Sequence, residues 1–94
     1  MAFARVVSFE GVTNDRVAQL EREMGQGGAP EGVPATEVLM LHDPDAKKSL
    51  VLVLFDTEDD YARGDEILSA MSADDTPGRR TSVMKYRVAA RRSM

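Results

Sequence analysis

The chain has no cysteine, no tryptophan and only one histidine among its 94 residues. Without cysteine it has no disulfide framework, no thiolate nucleophile and no cysteine-ligated zinc or iron–sulfur site. With His42 as the single imidazole, no serine–histidine–aspartate set can be argued from the sequence alone. The sequence therefore excludes several common catalytic and redox chemistries.

Aromatic residues and long apolar runs are also scarce. Aromatic side chains make up 5% of the chain and apolar ones 43%, so Val, Leu, Met and Ala must build the core. The longest apolar run, residues 50–55, is far shorter than the roughly 20 residues of a membrane-spanning helix. Residues 1–5 lack the apolar segment of a secretory signal. We therefore expect a cytoplasmic protein with no membrane partner.

Charge is distributed unevenly along the chain. The net charge is −4, which disfavours nucleic acid as a partner. Residues 79–94 hold six basic and no acidic residues, whereas residues 1–78 hold the other six basic and all 16 acidic residues. The simplest interpretation is that the basic end pairs with the acidic body of its own or a partner chain. The alternative is an anion-binding surface.

Hydrophobic periodicity and turn residues predict six elements in one domain over residues 1–94. Their order is β-α-β-β-α-β. With right-handed crossovers, this order predicts a ferredoxin-like α+β fold, in which a four-stranded antiparallel sheet carries two helices on one face. The predicted elements are a strand over 3–10, a helix from 13–15 to Gly25, strands over 36–42 and 49–56, a helix opened by 57–60, and a strand over 81–90.

Two groups of glycines have different predicted roles. Residues 25–35 contain four Gly and two Pro and predict a loop, with type I turn chemistry following at 43–46. The loop follows a helix, and Pro30 stands where a dinucleotide motif needs glycine, so no phosphate site and no cofactor is predicted. Gly64 lies on the apolar stripe of the second helix. We expect it to mark a close approach of that helix to the sheet.

The third strand predicts association. The uncovered face of an antiparallel sheet is commonly polar, and its strands then alternate apolar and polar residues. Residues 50–55 and 38–41 are apolar at every position. We therefore expect a second copy to cover that face, sheet against sheet, in a two-fold homodimer. The alternative is an exposed apolar strip, or one that serves a different partner.

The element order, the apolar third strand and the acid-rich helix start at residues 55–61 resemble the dimeric α+β barrel superfamily. The acidic body and the Gly/Pro-rich loop are similar to small, mostly uncharacterised bacterial members. The resemblance spans the chain as a pattern of elements. Members of that superfamily include cofactor-free antibiotic-biosynthesis-type monooxygenases, haem-degrading enzymes, isomerases and ligand-sensing domains, so the resemblance implies one of these functions. The haem-degrading members rely on a tryptophan, and its absence here counts against that activity.

Three residues are candidates for chemistry. His42 ends the second strand beside Asp43 and near Asp45, where it is a candidate general base. A tight turn seldom brings three side chains to one point, so no metal site is predicted. Tyr86 lies mid-strand, where its phenol is a candidate to orient a carbonyl or aromatic substrate. Arg5 lies among apolar neighbours and is a candidate for binding an acidic ligand.

Each candidate also has a structural interpretation, and two hypotheses for function follow. The first is a cofactor-free, monooxygenase-like enzyme or a binder of a small apolar or aromatic ligand. The second is a non-catalytic dimeric interaction or regulatory module. Two further features are expected to be structural: Tyr61 as a core aromatic, and Lys85 with Arg87 as charges that protect an edge strand.

Overall fold

The computed structural model describes residues 2–27, 32–70 and 77–92. Within these ranges the chain forms four strands and two helices, in the order that the sequence predicts. The elements are β1 (Phe3–Glu10), α1 (Asn14–Gly27), β2 (Glu37–Asp43), β3 (Lys48–Phe55), α2 (Glu58–Ser69) and β4 (Arg79–Arg87).

The four strands form one sheet in the order β2-β3-β1-β4, and every neighbouring pair is antiparallel. This order is compatible with a ferredoxin-like topology, and it confirms the predicted element order and the antiparallel sheet. β4 is an edge strand, as the charges of Lys85 and Arg87 indicate. A register shift in the β1–β4 pairing lies between Ser8 and Phe9.

Short-range hydrogen bonds support the predicted helix start at 57–60 and the predicted turn at 43–46. The Thr57 hydroxyl accepts a hydrogen bond from the Asp60 amide at 3.1 Å, and acids fill the first turn of α2. Asp43 Oδ1 accepts bonds from the amides of Asp45 and Ala46 in the β2–β3 hairpin. Lys47 completes this turn in the left-handed region, with φ of 54°. These short-range bonds fix where α2 and the hairpin begin.

The predicted end of α1 and both predicted ends of β4 are wrong by two residues or more. α1 does not end at Gly25 but continues to Gly27, because Gly25 keeps the helical course of the backbone instead of the left-handed conformation of a C-cap. β4 covers Arg79–Arg87 instead of 81–90, because Arg79 and Arg80 pair with the end of β1. The predicted turn at 74–78 lies mostly outside the described residues.

Both helices pack on the same face of the sheet, which is called the helix face below. Tyr61 and Leu68 of α2 contact Val53 and Phe55 of β3. Val17 of α1 packs against a second cluster formed by Val7, Phe9 and Val12. Phe55 and Val12 are completely buried. The core is therefore built from aliphatic side chains around a few aromatic rings, as the composition predicts.

Gly64 confirms the expected close approach of the second helix to the sheet. A Cβ atom placed on Gly64 would lie 2.3 Å from Phe55 Cε1 and 2.4 Å from Phe55 Cζ. The Phe55 ring has no exposed surface and cannot move into solvent. Only glycine therefore lets α2 approach β3 this closely.

We expect Gly64→Ala to destabilise the fold by about 1–3 kcal/mol, because the clash with Phe55 outweighs the gain of about 1 kcal/mol in helix propensity. The matched control is Gly25→Ala in α1, where a Cβ meets nothing within 4 Å. That change should be neutral or slightly stabilising. Urea unfolding midpoints measure both, and equal midpoints for the two variants would contradict the assigned contact.

Candidate functional site

Arg5 is buried and bonded within its own chain. Its side chain is 5% exposed, and its Nε donates to Asp65 Oδ1 at 2.9 Å. A second bond runs from the guanidinium to Ser69 Oγ at 3.3 Å. Asp65 and Ser69 are four residues apart and lie on one face of α2. The negative charge that a buried cation requires thus comes from Asp65 of α2. This ion pair joins β1 to the helix.

His42 is also bonded through both ring nitrogens. Nδ1 lies 2.7 Å from Ser49 Oγ, and Nε2 lies 3.1 Å from Asn14 Oδ1. An amide oxygen only accepts, so Nε2 carries a proton. In the neutral imidazole, Nδ1 then accepts from the Ser49 hydroxyl. The ring therefore connects the first residue of α1 to strands β2 and β3.

This Asn14–His42–Ser49 chain is an arrangement that the sequence analysis missed. The signal that reveals it is the hairpin register, since Asp43 pairs with Lys48 and therefore places His42 opposite Ser49. It has the residue types of a catalytic triad, but Ser49 is only 3% exposed. A hydroxyl so deeply buried, and already bonded to His42, presents little surface to a substrate. The arrangement holds the α1 N-terminus against the sheet.

The three candidate residues do not come together. Arg5 and His42 lie on the helix face, whereas Tyr86 lies on the opposite face and is 50% exposed. Arg5 aligns with Val38 across the sheet. His42 is four residues further along β2, about 13 Å along the strand and two strands away. A single small substrate does not contact all three residues.

An aromatic cluster centred on Tyr61 lies at the other end of the helix face, and Lys85 contacts its rings. The Tyr61 ring meets Phe3 and Phe55 edge-on, with centroid separations of 6.5 and 5.6 Å. Lys85 Nζ lies 4.9 Å from the Tyr61 centroid and 3.3 Å from Glu58 Oε1. Burial raises the pKa of the Tyr61 phenol above its ordinary value, and the Asp65 carboxylate adds to this effect. Tyr61 is the core aromatic that the sequence predicts.

The sheet face opposite the helices is called the open face, and most of its side chains are apolar. Strand alternation puts Leu, Val and Met at its centre, with exposed fractions of 40% for Leu39, 50% for Leu41 and 46% for Met84. The apolar members are Ala4, Val6, Leu39, Leu41, Leu50, Leu52, Leu54, Met84 and Tyr86.

One end of the open face carries four charges of alternating sign. In strand order they are Asp43 on β2, Lys48 on β3, Glu10 on β1 and Arg79 on β4, called the charged row below. The Glu10 carboxylate accepts a hydrogen bond from the Arg79 guanidinium at 2.6 Å, and its Oε1 lies 3.8 Å from Lys48 Nζ. The Arg79 hydrogen bond, assisted by Lys48, lowers the pKa of the Glu10 carboxyl.

The charged row borders a groove of about 490 Å³. Three members of the row line its walls, Glu10, Asp43 and Lys48, together with Ser8, Phe9, Leu41, His42, Ser49, Leu50 and Thr81. The groove lies on the sheet surface, at the end where the β2–β3 hairpin turns. Its lining therefore combines charged and apolar groups.

The basic end of the chain pairs with its acidic body, as the simplest interpretation of the charge distribution predicts. Arg79 binds Glu10, Lys85 binds Glu58 and Arg91 binds Glu37. Glu37 begins β2 at the far edge of the sheet from β4. The segment after β4 therefore crosses about 14 Å, three strand spacings, to reach it.

Three absences hold for the described residues. No three His, Asp or Glu side chains gather there as metal ligands. Neither α1 nor α2 is long and apolar enough to cross a membrane. Within the same ranges, every buried side-chain nitrogen and oxygen has a hydrogen-bond partner.

Comparison with known proteins identifies no relative. No protein-family profile matches the chain, and neither a curated protein sequence nor a solved structure matches it.

We expect Asp65→Asn to destabilise the protein by about 1–3 kcal/mol, because it leaves the buried Arg5 guanidinium without its countercharge. The cost stays below that of a fully buried pair because the Asp65 side chain is 40% exposed. Glu66→Gln, one residue further along α2 and exposed, is the matched control and should stay within about 0.5 kcal/mol. Chemical denaturation measures both, and an Asp65→Asn loss no larger than the control would contradict the structural role of Arg5.

Proposed function

We propose that this chain is a homodimeric interaction module of the dimeric α+β barrel type, joined through the open faces of its two sheets. The observation that carries the proposal is the apolar open face. Leu39, Leu41 and Met84 are each 40% or more exposed on it. Large contiguous apolar surfaces on soluble proteins mark interaction sites, among them protein–protein contacts.

The size of the face determines the expected strength of the dimer. Four strands spaced about 4.8 Å apart and about seven residues long cover roughly 20 by 23 Å. Two such faces bury about 900 Å² of projected area, which lies at the lower end of specific interfaces. We therefore expect a micromolar dissociation constant, and association should be measured from about 1 to 200 μM.

The polar groups favour a module without catalysis. Arg5 is bonded to Asp65, and His42 is bonded to Ser49 and Asn14. These are the groups that a catalytic site or an acidic-ligand site on the helix face would use. Tyr86, the remaining candidate, lies among apolar side chains on the open face, where a second copy would cover it. Their bonds and positions support assembly as the role of this fold.

The groove beside the charged row favours a second function, the binding of a small ligand. Its volume of about 490 Å³ falls within the usual range for small-molecule sites. If this function is correct, gentle native mass spectrometry of the purified protein will show a dimer carrying additional mass. A dimer without additional mass supports the interaction module alone.

Replacing an open-face leucine by a charge tests the dimer. We expect Leu39→Glu to weaken association at least about tenfold, because two carboxylates would be buried against apolar surface. The matched control is Ile67→Glu on α2, since Ile67 is similarly exposed at 36% but lies away from the open face. Sedimentation equilibrium should show the control within about twofold of the parent. Equal weakening by both changes, or a parent that stays monomeric at 10.3 kDa at every concentration, would contradict the proposal.

A further inference from the structure

We infer that the two sheets pack with the two-fold axis parallel to their strands, so that β2 of each copy lies over β4 of the other. The alternating charges of the charged row select this arrangement. The inference rests on the proposed homodimer and specifies which residues meet across it. Two independent features of the open face support it: the order of its charges and the sizes of its side chains.

Two arrangements are possible for aligned sheets that meet face to face around a two-fold axis. An axis along the strands reverses the strand order and keeps corresponding strand ends together, so β2 faces β4 and β3 faces β1. An axis across the strands keeps the strand order and exchanges the ends. Each strand then faces its own equivalent, with the charged row of one copy over the opposite end of the other.

The charged row is complementary to itself only when the strand order is reversed. From β2 to β4 its signs are negative, positive, negative and positive. Reversal puts Asp43 over Arg79 of the second copy, and Lys48 over Glu10 of the second copy. With the axis across the strands, Asp43 would instead lie over Glu37 of the second copy, at the other end of β2. Glu37 already pairs with Arg91, and Lys48 and Arg79 would lie over Leu54 and Tyr86 of the second copy. The charges of the row would then meet no opposite charge across the interface, which disfavours that arrangement.

Side-chain size favours the same axis. The open face carries Leu on β2 and β3. Its small residues are Ala4 and Ser8 on β1 and Ser82 on β4, and β4 also carries the bulky Met84 and Tyr86. Reversed strand order puts Leu50 over Ser8 of the second copy and Leu54 over Ala4 of the second copy. The other axis, in the register that puts Asp43 over Glu37, puts Leu50 over Leu52 of the second copy and Leu39 over Leu41 of the second copy. Since close packing requires bulky residues to fill the space above small ones, the first arrangement is the better fit.

A mixing experiment tests the arrangement without requiring an absolute affinity. Asp43→Arg alone creates a homodimer with two Arg–Arg contacts, and Arg79→Asp alone creates one with two Asp–Asp contacts. A mixed dimer of the two variants restores both opposite-charge pairs. Changes within each chain, such as the loss of the Arg79–Glu10 bond, occur equally in homodimers and mixed dimers and cancel in their ratio.

The matched control exchanges the same charges outside the open face. Asp45 lies in the hairpin turn, and Arg80 pairs with Phe9, whose side chain lies on the helix face. Asp45→Arg and Arg80→Asp therefore reproduce the net charges of the test variants. Native mass spectrometry resolves mixed dimers from homodimers because the variants differ in mass.

We expect the mixed dimer to rise from the statistical one half to at least about four-fifths of all dimers, since each exchanged rim pair adds a modest preference. The control mixture should stay at one half. As a second check, Asp43→Arg and Arg79→Asp combined in one chain should restore the parent dimerisation that each single change weakens. The combined variant loses the same Asp43 turn bonds as Asp43→Arg alone, so the difference in dimerisation between these two variants reports the charge pairing and not the turn.

Other outcomes would overturn the inference in distinguishable ways. If mixed dimers make up only one half of all dimers in the test mixture while the parent is still dimeric, the arrangement is rejected and the homodimer is retained. Tighter self-association of Asp43→Arg would indicate the axis across the strands. A control mixture enriched as strongly as the test mixture would assign the preference to net charge alone. A parent chain that never dimerises would reject the proposed function itself.

Discussion

Phe55 lies directly beneath Gly64, and this contact sets how α2 meets the sheet. Because no side chain intervenes, the helix approaches closely enough for Tyr61 and Leu68 to pack over β3. The same approach brings Asp65 within hydrogen-bond distance of the Arg5 guanidinium. Tight apolar packing on one side thus supplies the geometry for the buried ion pair.

The two sides of the sheet consequently differ in chemistry. The helix face contains the satisfied polar groups, Arg5 and His42, each held by a residue of a helix. The open face presents Leu, Val and Met between a charged row at one end and the Arg91–Glu37 pair at the other. Apolar burial would provide the attraction between two such faces, and charge order would select their orientation.

Local sequence signals predict the elements of this fold well. Alternation in 3–10, the Thr57 cap and the Asp43 turn each act within a few residues, and each has the predicted role in the structure. Helix ends are less predictable, since Gly25 allows a helix both to stop and to continue. The pairing of the basic C-terminal segment with the acidic body was also predictable, because the two parts of the chain carry opposite charge.

The partners of the candidate residues could not be predicted in the same way. Arg5 meets Asp65, which is 60 positions away, and nothing in the local pattern selects that acid from the 16 in the chain. The bond between His42 and Asn14 depends on where α1 docks. The signs of the charged row are readable in the sequence, but their order across the sheet appears only once four strands are in register.

The most direct test of the central claim is an isotope-filtered NOE experiment on an equal mixture of methyl-labelled and unlabelled chains. We expect intermolecular NOEs between Leu39 and Met84 methyl groups, and between Leu52 and Val6, because these residues meet when two open faces pack with reversed strand order. Intermolecular NOEs confined to helix residues such as Val17 or Ile67 would contradict the central claim. So would a complete absence of intermolecular NOEs at concentrations well above the expected micromolar range.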